Sequence, residues 1–295
     1  MRGWVTNIVL LAAVIGLGWY AYTKPDADKE VEHPIAALAP AQVSRLSIER
    51  LGASMALEKR DNHWYLTSPL TARADSGQVN RLIDVLSVKS KEKLGAADLA
   101  RFDLDAPALT LRFGELAIAF GTTNSLTQDQ YVLSNNSVYL IPGFYRMQVP
   151  DRPDRLLTHS LFAEGEKPVG FELPQMAAEQ KDGKWTVLRA PEGQPSLGAD
   201  DLNRWADDWR FSSSLITQPY DGTAGMEQVR VKLADGKTLE IEVLRKEPDL
   251  VLARRDESLQ FQYSTEAGKR LMAPEAEKPA TPALPTEPAS PTPAK

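Results

Sequence analysis

The spacing of apolar residues changes character along the chain, and each change predicts a different element. From Trp4 to Tyr22, 19 residues carry no charge. As a helix such a run spans about 28 Å, close to the thickness of a bilayer core. Val43–Ile48 then alternates apolar and polar residues, the pattern of a strand with one buried face. Ala56–Lys59 and Trp64–Thr67 continue the alternation on either side of Asp61-Asn62, a pair that tolerates the left-handed backbone of a two-residue hairpin turn. Pro69 closes that second strand, because proline offers no amide to a sheet ladder. The period next becomes helical: Val79, Leu82, Ile83 and Leu86 fall at i, i+3, i+4 and i+7. Asp75-Ser76-Gly77-Gln78 has the form of a capping box at the helix start.

The same pattern returns downstream. Met55–Leu86 finds a second copy in Met176–Trp209, with Asp61 and Trp64 matched by Asp182 and Trp185 at an offset of 121. Val79, Asn80, Arg81 and Leu86 are matched by Leu202, Asn203, Arg204 and Trp209 at an offset of 123. The copy has Asp182-Gly183 at its turn, Pro191 after its second strand, and Leu202, Trp205, Ala206 and Trp209 on its helical stripe. Gly198 stands in place of the aspartate cap, with Asp200 and Asp201 in the first turn, where negative charge favours the helix dipole. After each helix come two further hairpins. They turn about Gly114-Glu115 and Asn135-Asn136 in the first copy, and about Ala234–Lys237 and Asp256-Glu257 in the second. The expected fold class is therefore α+β: two tandem related modules, each a β-hairpin, an amphipathic helix and an antiparallel meander, behind an N-terminal transmembrane helix. A repeat of this length reads as domain duplication, not as a solenoid. Asp151–Phe162 between the modules is expected to form a short crossover helix.

These elements set five segments: 1–23 as a membrane signal anchor, 24–42 as a linker, 43–164 and 165–272 as the modules, and 273–295 as a tail. Bulky Trp19, Tyr20 and Tyr22 occupy the place where a cleaved signal peptide needs small residues, so an uncleaved anchor is expected. A short N-terminal flank with one arginine suits an anchor whose N-terminus is inside, with the bulk of the chain periplasmic. The tail has seven prolines in 23 residues and almost no apolar bulk, which predicts an extended, disordered segment. Composition narrows the function. A net charge of -6 lacks the basic excess needed for phosphate backbones, so no nucleic-acid partner is expected. The absence of cysteine removes disulfides, thiolate nucleophiles and thiolate metal sites together.

Asn62–Pro69 (NHWYLTSP), Ala74-Asp75 with its helix, Phe102–Pro107 (FDLDAP), Gly121 and the Tyr131-Val132 strand together resemble the bacterial domain-of-unknown-function 4340 family. The resemblance covers Val43 to Leu161, and reaches the second module only through the internal repeat. Asp103 stands where family members typically show glycine. The resemblance implies a membrane-anchored envelope protein similar to domains found with, or fused to, auxiliary components of ABC transporters of the gliding-motility type. It brings no catalytic residue with it.

Candidate chemistry is sparse. His33, His63 and His159 share no metal-ligand spacing, so no metal and no cofactor is expected. His159-Ser160 lacks a nucleophile elbow, and Gly121–Asn124 lacks the lysine of a phosphate loop. Asp103 and Asp105, two apart, face one way on an extended chain and form the weak candidate for an acidic site. Trp205 and Trp209 on one helical stripe read either as core or as a partner-docking surface. The leading expectation is a non-catalytic binding or scaffold subunit in the inner membrane, accessory to an ABC-type transporter. The alternatives are an envelope hydrolase using Asp103 and Asp105, and a binder of cell-wall glycan or peptide.

Overall fold

The computed structural model describes residues 3–23, 31–190 and 197–274. Residues 24–30 of the linker, Pro191, and all of the tail from 275 lie outside the described residues. The protein is α+β, and its strand pairs run antiparallel. It divides into two compact units: Met1–Ser54 with Asn80–Val149, and Met55–Val79 with Pro150–Lys295. This partition differs from the sequence modules 43–164 and 165–272 in two respects: the hairpin before the first helix and the crossover from Pro150 both group with the C-terminal half.

The first unit opens with the helix α1 (Gly3–Thr23). Its described side chains are Trp4 and the run Asn7–Tyr20, and all of them are exposed, including Val9, Leu10, Leu11, Val14, Ile15 and Leu17. That run is about 21 Å long at ~1.5 Å per residue. Among the described residues no helix is long and apolar enough to cross a membrane. Next come β1 (His33–Pro34) and β2 (Arg45–Arg50). The second unit claims the strands that follow: β3 (Ala53–Arg60), β4 (His63–Ser68) and β5 (Ala72–Arg73). The helix α2 (Ser76–Ile83) begins in the second unit and ends in the first. Its stripe is interior: Val79, Leu82, Ile83 and Leu86 are all buried. Asp75 caps it, its carboxylate accepting from the Gln78 amide at 2.8 Å.

The first unit continues with β6 (Lys89–Ser90), β7 (Lys93–Gly95), β8 (Leu109–Phe113), β9 (Leu116–Thr123), β10 (Gln130–Ser134) and β11 (Ser137–Ile141). Its strands lie in the order β2-β8-β9-β10-β11-β7, so the four-strand meander stands as expected. A short helix, α3 (Phe144–Met147), follows. The FDLDAP stretch lies against this meander, with Phe102, Leu104, Ala119 and Val138 in one buried cluster and the Phe102 ring 4.6 Å from that of Tyr131. Asp103 has φ of 55° and ψ of 37°, left-handed backbone. That conformation is cheapest for glycine and accessible to aspartate, which accounts for the residue types at this position. Gly121 is required here, because a Cβ would run into the Phe102 carbonyl oxygen and come within 2.8 Å of the Leu104 side chain.

The second unit holds β12 (Pro168–Glu172), β13 (Ala177–Lys181), β14 (Lys184–Arg189), α4 (Ala199–Phe211) and β15 (Ile216–Pro219). The meander β16 (Glu227–Leu233), β17 (Thr238–Arg245), β18 (Leu250–Arg254) and β19 (Leu259–Tyr263) follows, then α5 (Thr265–Met272). The sheet order is β14-β13-β12-β16-β17-β18-β19-β15. Turn chemistry sets the register of three hairpins. Asp61 and Asn62 have φ of 48° and 67°, Asn135 and Asn136 have 45° and 56°, and Asp182 and Gly183 have 50° and 77°. Positive φ at both central residues defines the turn whose twist matches the flanking strands.

Asp151–Phe162 does not form the expected crossover helix. A single 3-10 turn, Pro153–Leu156, is followed by extended chain. The backbone of this segment bonds elsewhere: Asp75 donates to the Leu156 carbonyl at 2.8 Å, and Thr158 to that of Arg73 at 3.1 Å. Leu157 bridges Ala74, and Ser160 bridges Ser213. Pairing with these strand-like partners satisfies groups that a helix would have satisfied internally.

Candidate functional site

Extended pairing of the crossover builds the wall of a cavity of about 590 Å³ in the second unit. β4 supplies His63, Trp64 and Tyr65; the β5–α2 junction supplies Arg73, Asp75 and Ser76. The crossover adds Thr158 to Lys167, and the end of α4 adds Arg210, Phe211 and Ser213. Pro153 starts the turn that ends the crossover's only helical stretch, so the remainder is free to run beside β5.

One side of this wall is held by two arginines. Arg73 grips Glu257 with two bonds, Nε to Oε1 at 2.8 Å and Nη2 to Oε2 at 2.7 Å. The same guanidinium donates to the carbonyls of Ser160, Leu161 and Phe162 at 2.9 to 3.1 Å. Arg254, only 1% exposed, is bidentate to Glu166 at 2.7 and 3.0 Å and to Asp256 at 3.1 and 2.6 Å. It also donates to the Leu161 carbonyl at 3.0 Å. Five charged groups and three carbonyls thereby fix the crossover loop against the β18–β19 turn. The planar fork of arginine suits this role, since lysine cannot meet two carboxylates and a carbonyl in one plane.

Burial by itself would raise the Glu166 carboxyl, but hydrogen bonds from Arg254 and the Ala163 amide, and the nearby arginine charges, hold it below the usual carboxylate range. Asp256 behaves alike: burial raises it, and the hydrogen bonds and charge of Arg254 lower it further than burial lifts it. Arg254 is held above its ordinary value, its carboxylate partners outweighing burial. Because both acids are depressed in the folded state, the unfolded chain takes up protons first, and folding stability falls with pH. Their contribution is complete above the ordinary values of 4.5 and 3.8 and is lost as pH drops below them toward the folded values. The urea midpoint is therefore expected to fall as the pH is lowered through 4.5 and 3.8, and to fall less in Glu166→Gln. An equal slope in that variant would remove Glu166 from the account.

Sequence separation had kept His63 and His159 apart, yet both line this cavity. His63 Nδ1 lies 3.3 Å from a Glu164 oxygen. His159 Nδ1 sits 2.9 Å from the Ser214 carbonyl, which can only accept, so Nδ1 carries the hydrogen. No carboxylate stands behind that imidazole. The contact with Ser214 Oγ, at 3.3 Å and passed on to Thr217, is not a nucleophile–base–acid chain. No group of three or more metal-ligating His, Cys, Asp or Glu side chains occurs among the described residues.

Asp103 and Asp105 are both exposed, on either side of buried Leu104, and neither lines this cavity. Trp205 and Trp209 are 2% and 1% exposed, which makes them core and not a docking surface. Both indole N–H groups donate to the Leu271 carbonyl, at 2.9 and 2.8 Å, and both rings pack on Phe171 beside Trp185. They tie α4 to α5 and to the sheet. Arg73, Glu166, Arg254, Asp256 and Glu257 escaped the sequence reading. The one available sign was Arg254 at the end of an otherwise apolar strand, Leu250–Ala253.

No curated protein matches the chain, and no solved structure matches it. A family model does, from Trp64 in the cavity wall to Glu242 in β17. That model is described as "Domain of unknown function (DUF4340)", it matches residues 64–242, more than half of the chain, and this protein belongs to that family.

Proposed function

We propose that this protein is a single-pass, membrane-anchored envelope protein that binds a ligand or partner without transforming it, as an accessory subunit of an ABC-type transporter. The observation that carries the reading is α1. Apart from Asn7, its described side chains are apolar or aromatic on every side and exposed, an arrangement that water disfavours and lipid accepts. Trp4 near one end, and Trp19 and Tyr20 near the other, suit the headgroup layers. Residues beyond the anchor carry two related α+β modules, a reading supported by the recurrence of strand, hairpin, helix and four-strand meander in both halves. The bulk of the chain lies in the periplasm, and the cavity of the second unit serves as its binding surface.

Carbonate-washed membranes are expected to retain the full chain, while a chain starting at residue 31 appears in the soluble fraction. A C-terminal alkaline phosphatase fusion is expected to be active. Extraction in mild detergent is expected to bring transporter subunits with the protein. An inactive fusion would reverse the topology, and recovery of a lone monomer even after crosslinking would remove the accessory role.

A further inference from the structure

The groups around the cavity are unevenly engaged. Every carboxylate in its wall already has work inside the chain. Asp75 caps α2, Glu164 faces His63, and Glu166 holds Arg254 and the Ala163 amide. Several donors in the same wall have none. Among the described residues Lys167, which is exposed, makes no ion pair, and Arg210 has a single ion-pair contact, with Asp207 at 3.5 Å on the helix exterior. The hydroxyls of Ser160 and Ser213 make no hydrogen bond among the described residues, although their backbones bridge each other across the wall. A further indole N–H, that of Trp64 in the same wall, is buried and unpartnered. Beside Glu164, which is 81% exposed and meets only the His63 ring, the lining therefore offers two cations and three donors with spare capacity, and it is bounded by the rings of Phe162 and Phe211. Its volume of about 590 Å³ falls in the range of sites for small organic ligands.

We propose that this cavity binds a small organic anion, a carboxylate attached to an apolar or ring-shaped body, with Lys167 and Arg210 meeting the charge and Ser160 and Ser213 donating to its oxygens. Phe211, at the end of α4 and 71% exposed, covers the apolar part. The proposal rests on the reading of the cavity as a binding surface. A neutral ligand of the same shape leaves the two cations unmatched and loses most of the binding energy. Arginine and lysine differ in role: Lys167 is a point charge on a flexible stem, whereas the Arg210 fork is set by its position over the Phe211 ring at 4.9 Å.

The test uses the detergent-solubilised full chain and a matched pair of probes, benzoate and benzamide, titrated while ligand and protein signals are followed by NMR. Benzoate is expected to bind at least tenfold more tightly than benzamide, and Lys167→Gln with Arg210→Gln together to remove that difference. Both side chains are exposed, so the variant is expected to keep the urea midpoint of the parent. Equal affinity for the two probes, or a double variant that binds benzoate as before, overturns the anion assignment and leaves a binding cavity standing. Binding of neither probe at tens of millimolar overturns both the anion assignment and the reading of this cavity as a binding surface. Neither outcome bears on the membrane anchor, which is tested separately.

Discussion

Arg254→Ala is expected to destabilise the protein by about 3–5 kcal/mol, the usual cost of removing one partner from a buried ion network. The side chain lies 1% exposed, with Glu166 at 21% and Glu257 at 15%. Removing it strips Glu166 of its guanidinium partner in a poorly hydrated place, while Glu257 keeps its two bonds from Arg73. Asp256 is half exposed at 51%, so water screens its share, and the figure rests on Glu166. The Leu161 carbonyl also loses a donor. Urea unfolding of the full chain in mild detergent, read by tryptophan emission, measures the change as a lower midpoint at unchanged slope. Adding Glu166→Gln to the alanine variant is expected to recover part of the loss, since the stranded charge is then gone. A midpoint unmoved by Arg254→Ala would show that the network contributes geometry and no net stability.

Trp209→Ala is the second large effect, at about 3–5 kcal/mol for emptying a buried indole site. The ring is 1% exposed, packs 5.4 Å from Phe171 between centroids, and meets Trp205 edge-on at 6.5 Å. Its N–H is one of two donors on the Leu271 carbonyl, so the substitution weakens the hold of α4 on α5 as well. Trp209→Phe separates the two contributions. It keeps part of the ring contact and loses the hydrogen bond together with the second ring of the indole, for which about 1–2 kcal/mol is expected, because Trp205 still satisfies the carbonyl. Amide exchange in α5 is expected to speed up in the alanine variant and to change little in the phenylalanine one. Similar exchange in both would mean that α5 is held by other contacts.

The fold was legible in this sequence wherever local chemistry decides structure. Asp61-Asn62, Asn135-Asn136 and Asp182-Gly183 mark hairpins because few other pairs accept positive φ at two successive residues. The two helical stripes were legible because burial on one side of a helix imposes a spacing that survives substitution: Val79 and Leu202, or Leu86 and Trp209, differ in shape and occupy the same step. Asp151–Phe162 misled because the deciding hydrogen bonds go to Arg73, Ala74 and Asp75, more than 80 residues earlier. The cavity was not legible for the same reason. His63 and His159 are 96 positions apart, and Arg73 finds Glu257 across 184. A charge pattern of period two or 3.6 carries no trace of such pairings. Arg254 next to Arg255 looks like an ordinary basic strand end, and only the sheet decides that the first of the two points inward.

The interleaved composition of the second unit has a consequence for how the chain is made. Arg73 is synthesised with β5, but its carboxylate partner Glu257 arrives 184 residues later. At ~5–20 residues per second, the growing chain waits roughly 10–40 s before that contact exists. During this interval the β3–β4 hairpin has its turn and its register, held by Asp61 and Asn62, and Arg73 gains the carbonyls of Ser160, Leu161 and Phe162 but no carboxylate. A nascent chain halted before residue 250 would therefore hold the Arg73 guanidinium against backbone carbonyls alone, its charge unanswered, with Glu166 still waiting for Arg254.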